Sequence, residues 1–230
     1  MRNKSSLVLV LLTIFLFIFN LILLYFFGEK LNRWSGFISI FLFFIYFLSQ
    51  PVGSRKMLVF FISYLIGDFL LIFYENPDLR NIAFGFRAIS FLVLAAMVFK
   101  RMQNLKLDFS GILVLVIACS VNFYLLHVLI DITPNTPGLD TFEFIFYAYG
   151  LSVILSVVAS ISYQMRYASK ASFFFVVGVI SLVLSKLSYY IGYYLEYNYF
   201  FLAFVFFEII GLACLLNYLQ KKPVESTSLI

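Results

Sequence analysis

The chain has 230 residues, of which 63% are hydrophobic and 12% are charged, and its mean hydropathy is +1.03. Soluble domains carry roughly 25% charged residues, so this composition excludes an ordinary water-soluble domain and predicts an integral membrane protein. The formal net charge of +5 does not indicate nucleic-acid binding, because the basic residues are scattered through short connections and form no continuous patch.

Eight apolar runs follow one another along the chain. A membrane-spanning helix needs about 20 mostly apolar residues, so we predict a single all-α domain, residues 1–230, folded as a transmembrane bundle of about eight spans. The first run follows Arg2 and Lys4 but is too long for a signal peptide and lacks a small-residue cleavage site, so we expect it to be retained. The second run is short and ends at Gln50 and Pro51. The runs are residues 7–27, 34–48, 57–74, 81–99, 110–130, 142–163, 173–195 and 200–219.

Lysine and arginine are concentrated in alternate connections. The two chain ends and the even-numbered connections together carry eleven of them, whereas the odd-numbered connections carry only Lys30, Arg33 and Arg80. Cytoplasmic loops are enriched in these residues. We therefore predict that both termini are cytoplasmic, in a plasma or inner membrane.

Two segments outside the spans have a distinctive composition. The longest connection, residues 131–140, contains Pro134, Pro137 and Gly138, which predicts a structured outer loop. The tail after Lys222 is short and polar, which predicts disorder.

Four ionisable residues fall inside the predicted spans, namely Asp68, Arg87, Lys186 and Glu208. A charge in the hydrocarbon costs roughly 2.5–3.5 kcal/mol on insertion scales, so such residues mark either function or pairing. Two are acids and two are bases, and all four lie between the outer third of their spans and the midplane. We predict a shared polar cavity that opens outward. The alternative is purely structural: Asp68 with Arg87, and Lys186 with Glu208, as ion pairs that fix helix packing.

Two further polar residues, Asn122 and His127, lie on the outer side of the fifth predicted span and are candidate substrate-binding residues or charge partners. His127 also suits the headgroup level, because it is near the end of its span. It is the single histidine, which excludes a multi-histidine metal site. Cys119 and Cys214 lie in apolar runs and indicate neither a disulfide nor zinc. We predict no metal and no cofactor, so that any chemistry rests on carboxylates, Lys, Tyr or Ser.

A family resemblance rests on two neighbouring segments. The pair Gly67-Asp68 lies within an apolar span, and the next span opens on Ala83-Phe84-Gly85-Phe86. Together with the chain length and the eight predicted spans, these segments resemble the YhhN-like family of membrane proteins, which includes lysoplasmalogenases. That family has a Gly-Asp pair in an apolar span and a Phe-x-Gly-like segment at the start of the following one.

Two later positions depart from the family pattern. Ser185-Lys186 stands where the family has a Ser-Asp pair in the penultimate span. Phe206-Phe207-Glu208 stands where the family has an aromatic stretch ending in Ala-Gln. An ammonium group thus replaces a carboxylate, and a carboxylate replaces an amide. The two changes compensate one another if Lys186 and Glu208 face each other.

The resemblance implies hydrolysis of the vinyl-ether bond of a lysoplasmalogen, a lysophospholipid. An acid protonates the enol carbon, and water attacks the resulting oxocarbenium ion. Asp68 and Glu208 are the candidate catalytic residues, with Lys186 holding Glu208 ionised and Arg87 as a charge partner. The alternative is a non-catalytic lipid-binding or transport protein that uses the same cavity. A third hypothesis, a retinal Schiff base on Lys186, is disfavoured by eight spans and a cytoplasmic N-terminus.

Overall fold

The structure is a computed structural model that describes residues 2–51, 54–99, 109–131, 139–197 and 199–221. The centre of the predicted outer loop, residues 132–138, and the tail after Lys222 lie outside the described residues. Within the described part every regular element is a helix, and each predicted apolar run is largely helical. The predicted all-α class is confirmed.

The first helical run, Arg2–Leu48, is folded back on itself. A straight helix of this length would span about 70 Å, yet Ser5 Oγ lies 3.1 Å from Tyr46 Oη. Midway along the run, the Asn20 amide donates a hydrogen bond of 2.7 Å to Ser39 Oγ. These contacts join the two arms as an antiparallel hairpin. The arms are α1 (Ser5–Phe26) and α2 (Arg33–Leu48).

Six more helices follow, and polar caps define where several of them begin. The Asn76 side chain accepts a hydrogen bond of 3.0 Å from the Asp78 N–H, and Pro77 occupies the first helical position, where no N–H is needed. Ser169 and Ser172 form a capping box at the start of another helix. The helices are α3 (Arg55–Leu71), α4 (Pro77–Phe99), α5 (Phe109–Asp131), α6 (Leu139–Tyr167), α7 (Lys170–Tyr194) and α8 (Tyr199–Lys221).

Six of the described helices are long and apolar enough to cross a membrane. They are α1, α4, α5, α6, α7 and α8. The remaining two helices are shorter: α2 comprises only Arg33–Leu48, and α3 has 17 residues. The prediction of a transmembrane helical bundle is therefore supported, with six candidate spans where about eight were predicted.

The helices form a closed ring in which chain order and spatial order differ. Helix α3 packs on α4, α4 on α6, α6 on α7, and α7 on α8, while the α1–α2 hairpin contacts both α8 and α3. Helix α5 packs on the outside, against α6. Only 6% of its most apolar stretch is buried, so α5 presents most of its surface to the surrounding lipid.

The two ends of the bundle are distinct. At one end, which we call the terminal end, the Gln220 amide donates hydrogen bonds to Ser5 Oγ (3.0 Å) and Tyr46 Oη (2.7 Å). At the opposite end, which we call the far end, Tyr74 Oη lies 3.0 Å from Tyr194 Oη. The start of the first helix and the end of the last helix thus share one end, as an even number of crossings requires.

Candidate functional site

The four intramembrane charges predicted from the sequence meet at the centre of the ring. Arg87 forms an ion pair with Asp68, and Lys186 Nζ lies 2.5 Å from Glu208 Oε2. The same Lys186 Nζ lies 3.8 Å from Asp68 Oδ1, which joins the two pairs into one cluster. The four side chains are only 3–11% exposed. We call them the charge cluster. With two acids and two bases it is formally neutral.

Helices α3 and α4 come close enough to form the first ion pair because Gly67 has no side chain. A Cβ placed on Gly67 would lie 3.0 Å from Arg87 Cγ and 3.3 Å from the Ala83 carbonyl oxygen. The neighbouring residue in the chain is Asp68. The Gly-Asp pair therefore combines a carboxylate with the close helix approach that lets Arg87 reach it.

A second close approach positions Glu208. A Cβ on Gly211 would lie 2.8 Å from the Leu182 side chain and 3.1 Å from the Leu182 nitrogen. Helices α7 and α8 thus lie almost backbone to backbone one turn from the cluster. This packing brings Ser185 and Lys186 on α7 against Glu208 on α8.

Glu208 is held by three donors from two helices. Tyr64 donates a hydrogen bond of 2.7 Å to Oε1, while Ser185 and Lys186 both donate to Oε2. These contacts use both carboxylate oxygens of Glu208 and fix its side chain beside Lys186.

Aromatic rings surround the two cations of the charge cluster. The Tyr64 ring centroid lies 5.1 Å from Arg87 Cζ and 5.1 Å from Lys186 Nζ, and the Phe204 centroid lies 5.0 Å from Lys186 Nζ. Cations are attracted to ring faces at such distances. Tyr64 is fully buried, so it serves both as a donor to the acid and as a face for the bases.

Tyr64 and Ser185 are two residues of the site for which the sequence predicts no function. Tyr64 precedes Asp68 by four residues, which places both on one face of α3. Ser185 adjoins Lys186 but, unlike it, carries no charge that would mark it as costly to bury. Tyrosine and serine are both common inside apolar helices, so neither residue stands out within its apolar run.

A cavity of about 110 Å³ adjoins the charge cluster. Asp68, Arg87 and Lys186 lie on its wall, and Glu208 lies behind Lys186. Most of the remaining wall is aliphatic or aromatic, including Leu125 from α5. Polar groups are therefore few in an otherwise apolar chamber.

Arg87 has hydrogen-bonding capacity that the cluster does not use. Its Nη2 pairs with Asp68, whereas Nε and Nη1 are buried and have no hydrogen-bond partner among the described residues. An unsatisfied buried donor is costly, typically by about 1–3 kcal/mol and more for a charged group. The residue that carries these two donors, Arg87, lines the cavity.

The other two predicted residues lie apart from the cluster. Asn122 of α5 is on the cavity wall, so the structure brings it into the same chamber. His127, also on α5, is exposed and is not among the residues that line the chamber. Within the described part of the chain, no three His, Cys, Asp or Glu side chains are grouped so as to hold a metal ion.

No protein-family model, curated protein or solved structure matches the chain. The geometry of the cavity and the charge cluster is therefore the basis for a functional assignment.

Proposed function

We propose that the protein binds a single-chain lipid of the lysophospholipid type in the cavity beside the charge cluster. The observation that carries this proposal is Arg87, whose unused N–H groups are buried at the wall of an apolar chamber inside a membrane bundle. A lipid supplies both an oxygen acceptor for Arg87 and hydrocarbon for the apolar wall. This is the lipid-binding or transport alternative, with Arg87 named as the hydrogen-bond donor to the lipid.

The position of α5 supports access from the bilayer. Leu125, Leu126 and Leu129 of this helix line the chamber, while most of its surface faces outward. A lipid chain needs only to pass this single peripheral helix to enter. The chamber then holds the part of the lipid near its polar linkage, and the rest of the chain extends along α5 toward the bilayer.

A second candidate function is hydrolysis of the bound lipid, as the YhhN-like resemblance implies. The observation that favours it is the pair of Asp68 and Lys186, which share the cavity wall 3.8 Å apart. One proton donor and one proton acceptor at one wall suit acid–base catalysis. Glu208, with its three donors, takes the role of holding Lys186 in place.

Vinyl-ether hydrolysis at this wall would proceed in balanced steps. Lys186 gives a proton to the enol carbon, and water, directed by Asp68, adds to the oxocarbenium carbon. The water proton passes to Asp68 and then back to Lys186. The resulting hemiacetal collapses to a fatty aldehyde and a glycerol hydroxyl group, and the enzyme is regenerated.

We also propose that α2 and α3 cross the membrane with the other six helices. Both belong to the ring or its hairpin and run between the terminal end and the far end. The concentration of Lys and Arg at the chain ends supports placing the terminal end in the cytoplasm. The charge cluster then lies in the outer half of a plasma or inner membrane.

The deciding experiment compares lipid binding with aldehyde release. Purified protein in nanodiscs is incubated with vinyl-ether and ester lysophospholipids, using wild type, Asp68→Asn and Arg87→Gln. The control is Glu196→Gln, which removes an exposed carboxylate outside the cavity. Saturable binding lost in Arg87→Gln and retained in the control supports a binding function.

The two candidate functions give different product profiles. Aldehyde release from the vinyl-ether lipid that disappears in Asp68→Asn establishes hydrolysis. Binding without any aldehyde in wild type leaves the binding function alone. Folded protein that neither binds nor converts either lipid would reject both.

A further inference from the structure

Two arginines at the far end share one aromatic platform. Arg33 Cζ and Arg80 Cζ each lie 5.6 Å from the centroid of the Tyr74 ring. Tyr74 itself is only 2% exposed. Arg33 comes from the start of α2 and Arg80 from the first turns of α4, so the platform draws together two separate helices.

Further rings complete the surroundings of the two guanidinium groups. Arg33 lies 5.4 Å from the Tyr193 centroid, and Arg80 lies 4.5 Å from the Phe142 centroid. Stacking on aromatic faces holds a guanidinium group in one plane. We call Arg33, Arg80 and Tyr74 the arginine platform.

The arginine platform is cationic, in contrast to the neutral charge cluster. Arg33 Nη1 lies 2.9 Å from Glu75 Oε1, and the Glu75 side chain is 58% exposed. Among the described residues, no carboxylate forms an ion pair with Arg80, and its buried Nε has no hydrogen-bond partner.

Two of the three platform residues lie on the cavity wall, and Arg80 lies outside the set of lining residues. Arg33 and Tyr74 line the cavity together with Arg87. Arg80 precedes Arg87 by seven residues on α4, which places the two on one helix face, about 10 Å apart along the axis. A ligand that contacts Arg87 at one end can therefore reach the platform at the other.

We propose that the arginine platform binds the phosphate group of the lysophospholipid whose linkage region lies at Arg87 and Asp68. This inference rests on the proposed lipid-binding function and names its headgroup chemistry. Arginine suits the site because its planar fork pairs bidentately with phosphate oxygens. The far end is a helix end, where a headgroup would meet the membrane surface.

The test compares two lipids that differ only in the phosphate group. Equilibrium binding of lysophosphatidate and of a monoacylglycerol with the same chain is measured on the full-length protein in neutral nanodiscs. For wild type, we expect the phosphorylated lipid to bind at least about tenfold more tightly, as charge-assisted hydrogen bonds imply. Raising the salt concentration should weaken only the phosphorylated lipid.

Variants assign the effect to the platform. Arg80→Gln should weaken lysophosphatidate about tenfold or more and leave the monoacylglycerol within about twofold, and Arg80→Lys should retain part of the preference. Arg33→Gln should act in the same direction. The matched control is Arg166→Gln, because Arg166 is exposed and lies 5.5 Å from the Tyr167 ring at the terminal end. It should change neither lipid.

Each contrary outcome has a distinct meaning. Equal affinity of wild type for the two lipids, or equal losses of both lipids in Arg80→Gln, would overturn the headgroup assignment while the cavity proposal stands. Binding of neither lipid would overturn the proposed function and this inference with it. Glycerol 3-phosphate that competes at the same concentration as lysophosphatidate would assign the platform to a soluble phosphate ester and overturn the lipid assignment.

Discussion

Removing the charge of Glu208 should destabilise the protein strongly. The Glu208 side chain is 3% exposed, and it pairs with Lys186 within a formally neutral cluster. Glu208→Gln keeps the shape of the side chain but leaves the buried cluster with a net charge of +1. Breaking one partner of a buried ion pair costs about 3–5 kcal/mol, and we expect a loss of that size in the free energy of unfolding.

A second substitution should recover much of this loss. Lys186→Met removes the ammonium group alone and leaves a net charge of −1, so it should also be costly. The double variant, Lys186→Met with Glu208→Gln, restores neutrality. Its destabilisation should therefore be smaller than the sum of the two single losses, with a coupling of about 2–3 kcal/mol.

The assay is equilibrium unfolding in mixed micelles, titrated with dodecyl sulfate and followed by far-ultraviolet circular dichroism. Glu196→Gln is the control, since Glu196 is exposed and should change stability by less than about 0.5 kcal/mol. Losses that add to within about 0.5 kcal/mol in the double variant would refute the reasoning. They would mean that Lys186 and Glu208 do not stabilise one another in the folded bundle.

Four other substitutions test the packing of the bundle by the same assay. Gly67→Ala should lower the free energy of unfolding by about 1–3 kcal/mol, because a methyl group there approaches the facing helix to 3.0 Å. Gly85→Ala, with no atom within 4 Å, should be neutral or slightly stabilising. Equal effects of the two substitutions would contradict the close approach. Tyr64→Phe should lose about 1.5–3 kcal/mol, because Glu208 loses a buried donor, and a change below 0.5 kcal/mol would count against that hydrogen bond. Asn20→Ala should lower the free energy of unfolding by about 1–3 kcal/mol, because it removes two hydrogen bonds between α1 and α2. An unchanged unfolding midpoint would argue against a role of these hydrogen bonds in joining the hairpin.

The positions of the helices could be predicted from the sequence because each apolar run is long and is bounded by charged or turn-forming residues. Their lengths could be predicted less well. The run 57–74 was expected to span, yet α3 ends at Leu71, and the following residues form a turn that places Tyr74 at the far end. The helix order in space could not be predicted, because it depends on close approaches at single glycines. Helix α5 illustrates this: it lies outside the ring, and α4 contacts α6 directly.

The charge cluster could be predicted in part because the physics of the bilayer limits the alternatives. A buried charge in hydrocarbon must find a partner, so four such residues at similar depth were expected to meet, and Asp68, Arg87, Lys186 and Glu208 do. Residues that can be buried at little cost give no such signal. Tyr64 is one of them, because a tyrosine also fits an ordinary apolar core.

Arginines near span ends fit the ordinary role of topology signals, and Arg33 and Arg80 were counted as such. What distinguishes them is burial on a tyrosine ring, which needs coordinates to see. One trace was present in the sequence: Arg80 and Arg87 are seven residues apart, two turns along one face of α4. This spacing places one arginine inside the bilayer and a second two turns closer to the membrane surface. It suits a ligand with one polar group inside the bilayer and one at its edge. The count of Lys and Arg residues on the two sides of the membrane does not reveal this relation, whereas the spacing along α4 relates the cavity to the far end.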